Sequence, residues 1–408
     1  MPKNGDGMYI VRRNKETSAI KPLRELLLDF MSENDISVNA LADEIKVNND
    51  TLRKFLDGEA VDLKFMQAIR LMKLLGLSEG DFVSVYCNGK DTEEDGFERL
   101  ERLSYISKNF DLVALKKLGI IPKAKVEEYE KYICSFLGIN SIYEYDDTSL
   151  MPTLFSKSKR KVLEEKESKM TSFWLKCAIQ SFLKIGNPNE FDRDLLLQLL
   201  RRSAEFTEDE KNGYYRFVLV LYQIGITVLT QSYATGTNAH GATLILNGKP
   251  CIIVTDMGKK YYKLWLSLLH ELYHVVNDFD IIETLSYHFS TPNMPDLLLN
   301  EQKADQFALD ILINPTIQEK LGKVVSFPAN VKSLAQKLHV SPSIIYGVYL
   351  ELLPKGKMKN QQFARFNKEE MLITTEIATK NILFDPISKR SLTVAIDEMK
   401  SALERKVI

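Results

Sequence analysis

The chain has 408 residues, 54 basic and 55 acidic side chains, a formal net charge of −1, and 45% hydrophobic against 27% charged residues. That length allows about two to four domains, and the composition excludes a wholly disordered or collagen-like chain. Near-balanced charge excludes a bulk polycation, so any nucleic-acid contact must come from a local patch.

The opening residues, MPKNGDGMYIVRRNKETSAIK, hold no apolar run followed by small residues, so a secretory signal is not evident. The most apolar stretch, Phe217 to Leu229, is shorter than the roughly 20 residues of a membrane span, and Gln223 interrupts it. Cys87, Cys134, Cys177 and Cys251 stand far apart, which suits buried thiols rather than a disulfide framework or a cysteine zinc knuckle. The expected compartment is the cytoplasm, with no membrane partner.

From Pro22 to about Val85 the apolar spacing predicts short helices. Leu23, Leu26, Leu27 and Phe30 mark the first. Val38–Ile45 and Asp50–Leu56 follow, separated by a brief turn at Lys46–Asn49, and Phe65, Ala68, Ile69, Met72 and Leu75 mark a fourth helix closed by Gly76. Two short helices across a tight turn are the sequence form of a helix-turn-helix.

A charged connector, Asn88 to Phe97, leads into residues 98–215, which read as mostly helical with breaks near Pro122, Gly138, Pro152 and Gly186–Asn189. Strand character begins at Gly225–Leu229. Ala242–Leu246 then turns through Asn247-Gly248 into Pro250–Val254, a hairpin signal. A long helix is predicted from about Asp256 to Asn277, and another over Leu299–Ile313, stopped by Asn314-Pro315. Residues 331–353 read as a helix pair. A polar tail from Lys355 ends in an amphipathic helix near Ser391–Arg405, which could cover a cleft or simply complete the core.

His270-Glu271-Leu272-Tyr273-His274 carries the chemistry. Residues four apart share a helix face, so both imidazoles can reach one metal ion with Glu271 beside it. Trp265, Leu269, Leu272 and Val276 form the stripe that would bury the helix. Catalytic zinc takes three protein ligands and keeps one open position. With five histidines in the chain, the third ligand is expected to be a carboxylate on a following helix. Glu301 could supply it, and Asp305, four residues on, could accept a hydrogen bond from the far nitrogen of a ligating histidine.

The run from Gly225 through Ile313 resembles the ImmA/IrrE family of metallopeptidases. The matching features are the Gly-Ile strand, Gly241-Ala242, the Lys249-Pro250 strand, His-Glu-x-x-His, and Glu-x-x-Ala-Asp-x-Phe-Ala ending in Leu-Ile-x-Pro. Leu334–Tyr349 resembles the helical segment that often follows that domain. Lys117–Pro122 and Phe136–Ile139 resemble the connector of proteins that fuse an XRE-type, phage-repressor-like helix-turn-helix to it, commonly called HigA-like antitoxins. Lys303 departs from the pattern, since a Glu often stands there.

The resemblance implies an α+β, predominantly helical chain in four parts. These are a helix-turn-helix domain (1–87), a helical connector (88–215), a zincin-like metallopeptidase domain with a small sheet (216–330), and a small helical segment with the tail (331–408). It implies one zinc ion held by His270, His274 and Glu301, with Glu271 as general base for water attack on a peptide carbonyl. Tyr287 and His288, lying between the two ligand helices, are candidates to stabilise the oxyanion.

Asn48, Asn49, Thr51, Arg53 and Lys54 open the helix that would enter a DNA groove. Residues 21–81 hold eight basic against twelve acidic side chains, a net of −4, which opposes phosphate contacts. Arg12, Arg13 and Lys15 could add positive charge. Operator DNA or a protein contact therefore both stand as uses of this module, and a homodimer would double weak DNA contacts.

The residues and the resemblance support two functions. One is a zinc metallopeptidase that controls transcription of a mobile element, toxin–antitoxin pair or stress response by cleaving a transcriptional regulator. The other is a HigA-like antitoxin whose metallopeptidase domain senses or binds without cleaving.

Overall fold

The computed structural model describes residues 21–59, 64–78, 81–82, 85, 94–122, 126–146, 169–233, 237, 241–285, 287–290, 299–385 and 391–405. Arg12, Arg13 and Lys15 lie outside them. The chain divides into two compact units, Met1–Arg102 and Leu103–Ile408. Mostly helical structure surrounds one small mixed sheet.

In the first unit, α1 (Leu23–Glu33), α2 (Val38–Ile45), α3 (Asn49–Leu56) and α4 (Phe65–Leu74) follow the predicted order. Leu23, Leu27, Leu41, Ile45, Leu52, Leu56 and Leu71 meet in one core. The tight turn has a local cause. Lys46 ends α2 in the left-handed conformation (φ 55°), Val47 drops into the core, and Asn48 caps α3 by accepting from the Asp50 amide at 2.8 Å.

The second unit holds α5 (Glu94–Asn109, which begins in the first), α6 (Leu112–Lys117), α7 (Tyr129–Leu137), α8 (Lys169–Ile185), α9 (Arg193–Leu200) and α10 (Gly213–Gln223). After β1 (Thr227–Gln231), β2 (Gly241–Leu246) and β3 (Lys249–Thr255) come α11 (Tyr261–Asn277), α12 (Phe279–Leu285), β4 (Tyr287–Ser290) and α13 (Glu301–Leu312). The chain closes with α14 (Pro328–Leu338), α15 (Pro342–Leu352), α16 (Lys357–Lys368), β5 (Leu383–Phe384) and α17 (Leu392–Leu403).

The sheet order is β4-β2-β3-β1-β5. β1 runs parallel to β3 and β5, while β2 is antiparallel to β3 and β4. The β2–β3 turn places Asn247 (φ 53°) and Gly248 (φ 73°) both in the left-handed region, which that residue pair tolerates and a two-residue hairpin requires. β1 and β2 are buried throughout, so both sheet faces are covered, and the near-continuous Val/Ile/Leu/Thr content of β1 to β3 follows from that.

α11 starts at Tyr261, later than the predicted Asp256. Gly258 and Lys259 take positive φ and form a turn, and the Tyr261 amide bonds to the Ile373 carbonyl instead of opening a longer helix. Its rear stripe is fully packed. Trp265 is buried among Tyr214, Phe217 and Tyr261, with ring centroids 5.3–6.3 Å away. Burying one indole removes about 200 Å² from water, on the order of 5 kcal/mol before entropy is charged. That packing anchors the metal-motif helix.

Apolar residues from Ile106 to Leu403 share one core, so the expected connector, metallopeptidase domain and tail all contribute to it. The tail completes that core instead of forming a movable cover. β5 adds to β1 at Thr230↔Leu383 and Gln231↔Phe384, and Leu392, Ile396, Met399 and Leu403 of α17 are buried with α8 as neighbour. A polar composition hid this, because the apolar residues of α17 occupy one stripe. Among the described residues, no helix is long and apolar enough to cross a membrane.

Candidate metal centre

The core of the second unit brings three donors from two helices together. His270 and His274 lie one turn apart on α11, buried at 9% and 0% exposure, and Glu301 opens α13. α13 begins where Asn300 caps it, its side chain accepting from the Lys303 amide at 3.0 Å. This cap sets Glu301 as the first helical residue, facing α11.

His270 Nε2 lies 3.2 Å from Glu301 Oε2, His274 Nε2 lies 3.5 Å from Glu301 Oε1, and the two Nε2 atoms are 3.3 Å apart. A tetrahedral zinc site with bonds of about 2.0–2.1 Å has donor–donor edges of about 3.3–3.4 Å. Lone pairs converging at such distances repel unless a proton or a metal ion lies among them. The donor set and its spacing therefore fit a metal ion held by His270, His274 and Glu301. Two histidines and one carboxylate are a donor set used by catalytic zinc.

Both imidazoles are oriented from behind. His270 Nδ1 donates to Asp305 Oδ1 at 2.8 Å, as expected from sequence, and His274 Nδ1 donates to Asp278 Oδ2 at 2.8 Å. Each contact leaves Nε2 facing the centre. Asp278 was not singled out from sequence, although its i+4 spacing from His274 on α11 is a readable signal.

Electrostatics separate the two rings. Burial pulls the His270 pKa down, but hydrogen bonds with Asp305 and Glu301 outweigh it and carry the group up to about 10. Burial dominates at His274, helped by the neighbouring His288 and His270, and its pKa falls. Burial opposes ionisation of Glu301, yet His270 and His288 overcome it and hold the carboxyl well below the usual range. An anionic ligand beside imidazoles that compete for one proton is an environment that a divalent cation neutralises.

Glu271 is buried at 1% exposure and held by the sheet. The Thr243 hydroxyl on β2 donates to Glu271 Oε2 at 2.7 Å. A Cβ placed on Gly241 would overlap Glu271 Oε1, so only glycine leaves that oxygen its place. Nothing in the local sequence pattern signals Thr243, because only the sheet register brings it to α11.

Of the two oxyanion candidates, His288 is buried with Nε2 2.8 Å from Glu301 Oε1. The Tyr287 backbone lies in β4, and its side chain is outside the described residues. In the first unit, Asn48, Asn49, Arg53 and Lys54 are exposed and Thr51 is half-buried. Asn48 already serves as a helix cap. Comparison of the chain with protein-family models, curated proteins and solved structures finds no match.

Proposed function

We propose that the second unit is a zinc-dependent metallopeptidase whose fusion to a helix-turn-helix module serves transcription control, by cleavage of a regulatory protein. The observation that supports the reading best is the convergence of His274 Nε2 and Glu301 Oε2 on His270 Nε2, at 3.3 and 3.2 Å, within one His-His-Glu group. The resemblance to the ImmA/IrrE family points the same way.

Held by those donors, zinc supplies Lewis-acid activation of water at neutral pH. The protein's own groups do the rest. Thr243 occupies Glu271 Oε2 and leaves Oε1, the oxygen beside Gly241, to accept the proton of the attacking water. Glu271 then passes that proton to the leaving amine. Asp305 and Asp278 keep both imidazoles aimed with Nε2 inward. An extended protein substrate would pair along the sheet edge, reading backbone more than side chains. β4, which carries His288, is the outermost strand on that side.

The test compares the wild-type chain with Glu271→Gln in cells by quantitative proteomics, after zinc is measured in both purified proteins. Both should carry zinc, and one regulatory protein should disappear only with the wild type. Zinc in both with no protein lost would favour the alternative, a HigA-like regulator that senses without cleaving. Operator binding through α3 is part of this proposal, and sequence-selective retention of DNA at low salt tests it.

A further inference from the structure

β2 and β4 pair so that Thr243 stands directly opposite His288. Both side chains are buried, at 0% and 2% exposure. The Thr243 hydroxyl meets Glu271 Oε2 at 2.7 Å, and His288 Nε2 meets Glu301 Oε1 at 2.8 Å. A single rung of the sheet thus touches both carboxylates of the centre, each through one oxygen.

We propose that His288 is a positioning residue that holds Glu301 to a single coordinating oxygen, and so keeps one metal position open for water. This rests on the metal reading above. A carboxylate can offer a metal one oxygen or two. With His288 Nε2 set against Oε1 at 2.8 Å, the oxygen left free is Oε2, which is the one 3.2 Å from His270 Nε2. Without that contact, Oε1 is released, and it already lies 3.5 Å from His274 Nε2. Two-oxygen ligation would then raise the coordination number and crowd the position that a hydrolytic site must leave open for water. The contact also defines what His288 does not do. A nitrogen engaged with Glu301 is not aimed at a substrate carbonyl, so the role differs from oxyanion stabilisation.

The test uses the full chain with its zinc exchanged for cobalt(II), whose visible absorption is intense when four-coordinate and weak when the coordination number rises. Four proteins are compared: wild type, His288→Leu, His288→Met and His288→Gln. Metal affinity is measured alongside by chelator competition, and the fold of each variant by circular dichroism. The wild type should show the intense spectrum. His288→Leu and His288→Met should show a weakened spectrum and about 10–100-fold lower affinity, the range for loss of a partner behind a metal ligand. His288→Gln, which keeps a donor at similar reach, should recover both in part. Two variants without a polar tip and of different shape separate loss of the polar contact from loss of packing. If folded Leu or Met variants keep the wild-type spectrum and affinity, His288 does not position Glu301. If the wild type binds neither zinc nor cobalt, the metal centre itself fails, and this role with it.

Discussion

The metal-motif helix α11 and the first-unit helix α3 both carry polar residues chosen from sequence, and the fold treats them in opposite ways. On α11, His270, Glu271 and His274 are buried, and each meets a partner from another element or the next turn. On α3, Asn49, Arg53 and Lys54 point into solvent, and Asn48 is used by its own helix as a cap. Burying polar groups is unfavourable unless they are paired, so convergence of buried donors indicates chemistry more strongly than an exposed polar face. An exposed face is compatible with DNA, with protein, or with water alone.

The sharpest way to break this contrast is to remove a donor from the buried side. His274→Ala should abolish stoichiometric zinc, whereas Glu271→Gln should keep it and lose hydrolysis, as read by metal analysis and peptide cleavage. Full zinc in His274→Ala would return α11 to the same standing as α3. Next in size is Gly241→Ala, which pushes the Glu271 carboxylate from its place. Zinc should be retained while kcat falls on the order of 100-fold, the loss expected from displacing a reacting group by about 1 Å.

A change in the shared core should act on stability alone. Ile396→Ala, on the buried stripe of α17, should lower unfolding free energy by about 2–5 kcal/mol in denaturant titrations. Deletion of the chain after Pro354 should unfold the second unit, since it removes β5 and α17 together. A truncated chain that stayed folded and cleaved faster would restore the tail as a cover.

Acidity offers a milder probe of the buried cluster. Proton and metal compete for His270 Nε2, and the metal-free pKa stands near 10 against an ordinary 6.5. Zinc uptake at pH 7 should therefore expel a proton, and affinity should rise about tenfold per pH unit from about 7 to 9. The stability of the metal-free protein should move in the opposite sense. A raised histidine pKa stabilises the fold below about 6.5, and that contribution is lost as pH rises through about 10. Calorimetry in buffers of different ionisation enthalpy counts the proton, and thermal melts across that range check the second effect.

The smallest effects belong to α3. Asn48→Ala should cost about 1 kcal/mol as a lost cap, with or without DNA present. Arg53→Ala with Lys54→Ala should leave stability nearly unchanged and flatten the salt dependence of any DNA binding. If salt dependence is unaltered, the exposed face of α3 makes no phosphate contact through those residues.

Local pattern carried much of the centre. Spacing of four on a helix put His270 with His274, and Glu301 with Asp305, before any fold was known, because side chains one turn apart must share a face. The Asn247-Gly248 turn and the stripes of α1 to α4 were readable for the same reason: each depends on residues close in the chain. The positions of Thr243 and His288 were decided elsewhere. Thr243 reaches Glu271 across 28 residues, and His288 faces Thr243 only through the β2–β4 register. The tail shows the same divide, since its polar average concealed one apolar stripe that α8 and β1 were needed to receive. Sequence periodicity settles what a segment presents, because backbone geometry repeats every 3.6 or 2 residues. What it is presented to depends on contacts between distant parts of the chain, and those are chosen by burial of the whole core.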